Sequence, residues 1–137
     1  MSHKPWGESS VTALGWWFVV LSAVFTAKHF LGDFLFQTRW MSMGKEQVSG
    51  WLAPLATHSA IHAGLTGAIV LSLAPRLWPL MAVDFLLHGA IDRTKGIVTK
   101  RLGLTAFTDT VWWWVFGADQ TLHHLTHLAF VALLVSA

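Results

Sequence analysis

The chain has 137 residues, 54% of them hydrophobic and only 12% charged, too apolar for a domain that must cover itself with a solvated surface. A formal net charge of +2 without a basic stripe excludes a nucleic-acid partner. The absence of cysteine excludes disulfides, thiolate nucleophiles, sulfur-held zinc and iron–sulfur centres.

In chain order, the first thirty residues imitate a secretory signal, with Lys4 ahead of an apolar run from Val11 to Ala27. No small-x-small cleavage site follows, so retention of this segment is expected. The expected fold is all-α: a polytopic membrane protein forming one four-transmembrane-helix up-down bundle over residues 1–137. Its helices are placed at 13–37, 51–73, 77–98 and 110–135, each matching the roughly 20 residues that span a bilayer. Gly44, Ser49 and Gly50 with Lys45 and Glu46 punctuate the first loop; Ala74, Pro75 and Arg76 make the second; Lys100, Arg101 and Gly103 open the third. Asp109 stands where a cap for the fourth helix belongs.

Arg39, Lys45, Arg93, Lys95, Lys100 and Arg101 gather on one side of these spans, against Lys4 and Arg76 on the other. Cytoplasmic loops are enriched in Lys and Arg, so the expected location is the bacterial inner membrane, multi-pass, with both termini periplasmic. The nine tryptophans fit two interfacial belts: Trp40, Trp51, Trp112, Trp113 and Trp114 on the cytoplasmic side, and Trp6, Trp16, Trp17 and Trp78 on the periplasmic side.

Every expected span carries ionisable residues four apart, which stacks them on one helix face: His29 with Asp33, His58 with His62, His88 with Asp92, and Asp119 with His123. Such groups cost at least about 2–3 kcal/mol each within a membrane unless they are paired, so their concentration needs a common cause. In an up-down bundle all four pairs lie toward the same face. Asp33, His58, Asp92 and Asp119 then form a shallower layer, and His29, His62, His88 and His123 one about a turn deeper. These eight residues are the expected metal ligands, with zinc first and iron or manganese also compatible; eight ligands favour a dinuclear site over a single ion. Asp84, His127 and Gln37 would orient the ligating side chains. Lys28, Arg39, Arg93 and Lys95 would hold an anionic substrate group at the mouth. By contrast, His124 sits about 100° around its helix from His123 and is expected against a neighbouring helix or a lipid headgroup. His3 reads as an exposed terminal residue, and Gly64, Gly67 and Gly89 as close-packing positions between helices.

Four segments, KHFLGDFLFQ at 28–37, HSAIH at 58–62, HGAIDRTK at 88–95 and DQTLHHLTH at 119–127, resemble a widespread bacterial family of small membrane proteins of unknown function. That resemblance implies membrane location and a metal site, but no activity. More loosely, the histidine spacings are similar to those of membrane di-iron desaturases, and the mixed His/Asp set to small membrane-bound metal-dependent hydrolases.

The resulting functional expectation is a metal-dependent hydrolase acting on a lipid-linked or phosphorylated substrate at the cytoplasmic leaflet. An ion would activate water, and one of Asp33, Asp92 or Asp119, if free of the metal, would take the proton. The alternatives are a divalent-metal or proton transporter, a desaturase-like di-iron oxygenase, and a haem-binding accessory subunit. The expected partners are membrane lipid and a second copy or a larger membrane complex.

Overall fold

The computed structural model describes residues 8–137; the expectations for His3, Lys4 and Trp6 fall outside them. Helix α1 (Glu8–Phe30) widens into a π-helical turn over Leu31–Leu35, in which the Phe36 N–H donates to the Leu31 carbonyl at 2.9 Å. A short helix α2 (Arg39–Gly44) follows, started by Thr38, whose hydroxyl accepts the Met41 N–H. Then come α3 (Leu52–Leu73), a 3₁₀ turn at Pro75–Leu77, α4 (Pro79–Leu102) and α5 (Thr110–Val135).

Three local features differ from expectation. The first long helix stops at Leu35 and is not α-helical throughout. Helix α4 continues to Leu102 and ends at Gly103 in the left-handed conformation, φ 63°, so Lys100 and Arg101 lie on its last turn instead of in the loop. The apolar run therefore ends before the helix does. Asp109 occupies the N-cap position of α5, but its carboxylate turns back into the loop and accepts from the Thr105 amide (2.8 Å) and the Thr108 hydroxyl (2.9 Å).

The four long helices α1, α3, α4 and α5 pack as a bundle whose neighbours run antiparallel. Phe25 meets Phe130 while His29 meets His123; Thr66 meets Asp84 while His58 meets His88. Among the described residues the apolar core lies at one end, formed by Leu21, Phe25, Val70, Leu80, Phe130, Val131 and Leu134. The other end is filled with Lys, His and Asp, while large apolar side chains such as Trp17, Phe34, Leu86, Trp114 and Leu125 point outward. This inverts the usual distribution for a protein in water. Two stretches, Ser10–Leu35 and Leu52–Leu73, are long and apolar enough to cross a membrane by length and composition. Inward-facing charges on α4 and histidines on α5 lower the average apolarity of those two helices.

Of the glycines expected at helix contacts, Gly67 packs against Met81 and Gly89 against Ser59. A Cβ at Gly64 would meet open space, so that position is not a contact.

Candidate metal centre

The site begins where α1 changes its winding. Gly32 lies in the π turn directly beneath His62, and a Cβ there would overlap the imidazole ring. The missing side chain lets the turn pass close to α3. Asp33, the next residue, reaches imidazoles from two helices: Oδ1 is 3.1 Å from His62 Nε2 and 3.2 Å from His58 Nε2, and Oδ2 is 3.2 Å from His29 Nε2. The two layers expected from the spacing therefore merge at Asp33. From α4, His88 Nε2 lies 3.0 Å from His58 Nε2, and Asp92 Oδ2 lies 3.3 Å from the same nitrogen.

These separations suit an ion. A tetrahedral metal with bonds of about 2.0 Å holds its ligand atoms about 3.3 Å apart. Asp33, His58, His62 and His88 each offer an atom such that all lie within 4.8 Å of one another, and His88, Asp92 and His123 form a second such set. All three histidines of the first set are buried, and Asp33 is half-buried. His62 and His88 stack with centroids 3.7 Å apart, which fixes both rings by packing.

His123 has a defined tautomer. Its Nδ1–H donates to the Asp119 carbonyl at 2.9 Å, which leaves the Nε2 lone pair bare, buried and without a protein partner. A bare imidazole nitrogen in a closed interior is what a metal ligand needs. On His58, His62 and His88 it is Nδ1 that has no protein partner, so packing more than hydrogen bonding holds those three rings.

Two expected ligands fall outside both sets. His29 approaches Asp33 but also lies 3.2 Å from Gln120 Oε1, and it flanks the centre. The Asp119 carboxylate is 4.0 Å from His123 Nδ1, and the residue also lines a cleft of about 130 Å3. That cleft, lined by Asp33, Gln37, Lys45, Asp92, Lys95 and Asp119 among others, adjoins the centre through Asp33 and Asp92. Asp119 accepts from Gln120 on Oδ2, while Oδ1 is buried with no partner.

The supporting residues sort by depth. Gln37 donates to the Asp33 carbonyl (3.0 Å), closing the widened turn. Asp84 and His127 do not reach the centre; with Lys28 and Thr66 they form a separate layer below it, with Lys28 Nζ 2.7 Å from Asp84 Oδ2 and 3.2 Å from His127 Nε2. His124 is half-buried, its ring 5.3 Å from that of His29.

Of the four basic residues expected at the mouth, Lys95 lines the cleft and the other three do not. Lys28 is buried in that layer and is not at the mouth. Arg93 is engaged by the Lys45 and Gln47 carbonyls and lies over the Trp51 ring at 4.2 Å. Lys95 stands at the cleft, paired with Glu46 at 3.2 Å. Arg39 is exposed on α2, its Nε directed at Met43 Sδ. Sequence reasoning missed Gly32, Thr66, Gln120 and, above all, Lys45, whose Nζ is 2.6 Å from Asp92 Oδ2.

The fold and site thus define an all-α bundle with a buried His/Asp cluster able to hold a metal ion. The chain belongs to the family described as "Protein of unknown function (DUF3307)", whose model matches residues 20–137 and so takes in every residue of the centre. No curated protein and no solved structure matches the chain.

Proposed function

We propose that the protein is an integral membrane metal-dependent hydrolase whose four long helices all span the bilayer and whose centre opens to the cytoplasmic leaflet. The observation that carries this reading is the convergence of Asp33, His58, His62 and His88, from three helices, on one point with the spacing of a metal's ligand shell. Membrane placement of α4 and α5 is supported by the inverted distribution of polar and apolar side chains. An ion held there would supply Lewis acidity for attack by water on an ester or phosphoryl centre. Asp119, outside both ligand sets and with Oδ1 free, suits the proton-accepting role, and Lys95 suits an anionic group entering the cleft.

Two observations favour this reading over its rivals. The apolar core from Leu21 to Leu134 offers a transported ion no polar groups at the far end of the bundle, among the described residues. Bis-histidine haem would need a slot between facing rings, whereas these imidazoles pack directly on one another.

The test is metal analysis of the detergent-purified protein beside the double variant His62→Ala, His88→Ala. We expect bound metal in the parent and a loss of more than about 100-fold in affinity in the variant, with helix content retained. Metal-free parent protein, purified without chelator and unable to take up added zinc, iron or manganese, would overturn the proposal. Flux of metal into vesicles would move the assignment to transport.

A further inference from the structure

A second groove runs along the outer face between α4 and α5. It encloses about 370 Å3, and its walls are mostly apolar, with Ala90, Ile91, Val98, Val115, Ala118 and Leu122 among them. Small side chains at Ala90 and Ala118 hold the groove open. At its floor lie Lys95 and Asp119, and the same two residues line the polar cleft above the His/Asp cluster. The groove on the apolar surface and the cleft beside the centre are therefore separated by these two side chains, which form a wall common to both. There the structure leaves Asp119 Oδ1 without a partner, although the residue is 96% buried. A buried acceptor left unsatisfied costs about 1–3 kcal/mol unless something donates to it.

From this shared wall we propose that the groove takes the hydrocarbon chain of a membrane lipid, which enters sideways from the bilayer and places a headgroup hydroxyl on Asp119. The proposal rests on the membrane hydrolase reading and narrows it: the substrate is a lipid with a hydrogen-bond donor in its headgroup, presented to the centre without leaving the membrane. The chain would lie along Ile91, Val98, Val115 and Leu122. The head would pass between Lys95 and Asp119 toward Asp33 and Asp92.

The experiment uses the full-length protein in bilayers carrying a small fraction of phosphatidylglycerol with a diazirine in its acyl chain, and maps the labelled residues after irradiation. Labelling concentrated on the α4 and α5 groove walls is expected. Labelling spread evenly over the outer surface, including Trp17 and Leu71, would overturn the proposal. Ala118→Trp should suppress groove labelling several-fold while leaving labelling at Trp17 and metal content unchanged; Ala90→Phe, which fills the groove from the opposite wall, serves if the first variant misfolds. Unchanged groove labelling in a folded filled variant counts against it.

The same probe built on phosphatidylcholine, whose headgroup has no donor, should label the groove about fivefold less, the factor one net hydrogen bond is worth. Asp119→Leu, which leaves no acceptor at that position, should remove that preference. Equal labelling by the two lipids in the parent would refute the Asp119 contact. Metal analysis on the same samples tells the two readings apart: lost labelling with bound metal sinks only the lipid path, and lost metal sinks the hydrolase.

Discussion

At Gly32 a single hydrogen in place of a methyl group decides whether Asp33 and His62 can share an ion. Gly32→Ala should leave the helices intact and force the His62 ring aside, lowering metal affinity roughly 10- to 100-fold, the range seen when groups that orient ligands are disturbed. Metal titration followed by circular dichroism checks both halves of that statement. Lys28 and Asp84 behave differently, being 3% and 1% exposed. Lys28→Met strands a carboxylate in the interior and should cost about 3–5 kcal/mol in detergent unfolding, whereas adding Asp84→Asn should recover most of the loss. The neutral amide still offers the Thr66 hydroxyl an acceptor. Asp109 lies in the loop before α5, and the donors from Thr105 and Thr108 hold its carboxyl below the usual carboxylate range. A depressed folded value means that its contribution to loop stability is present above the unfolded pKa of about 3.9 and is lost as pH falls through the folded value. Asp109→Asn should therefore abolish a local acid transition seen by the amide resonance of Thr105.

The decisive element is the π turn. It lengthens one turn of backbone, setting Asp33 where an unbroken α-helix would not hold it. Deleting Phe34, which is 62% exposed, should restore α winding, swing Asp33 off the point it shares with His62 and reduce bound metal without loss of helix content. The turn itself was not legible in the sequence, because a shift in backbone hydrogen bonding leaves no trace in composition. The His and Asp pairs were legible, since a spacing of four on each helix is a repeat that side-chain direction converts into a face. By the same rule Asp119 shares a face with His123: its carbonyl accepts from that ring, and its carboxylate, 4.0 Å from Nδ1, also lines the cleft. Lys45 had no repeat to reveal it, lying in a connection whose path depends on α2. Lys28 was grouped with the cations of the mouth, while its partner, Asp84, comes from another helix and lies deeper.

For the whole molecule, large apolar side chains lie outside and charge within, and on the membrane reading proposed above the positive residues would set its direction. Arg93, Lys95, Lys100 and Arg101 lie toward one end of α4, and Arg76 lies before its other end. A C-terminal fusion to alkaline phosphatase should be active, and one to green fluorescent protein dark, if both termini face the periplasm. The reverse pattern would turn the centre toward the outer leaflet. The bundle also limits its own loading, because His88 belongs to both candidate ligand sets. Once one ion claims one nitrogen of that ring, a neighbour has only Asp92 and His123 left, or must recruit the other nitrogen of the same imidazole. Calorimetry should accordingly record strongly anticooperative uptake, with a tight first equivalent and a far weaker second, so that the resting protein carries a single ion instead of a matched pair.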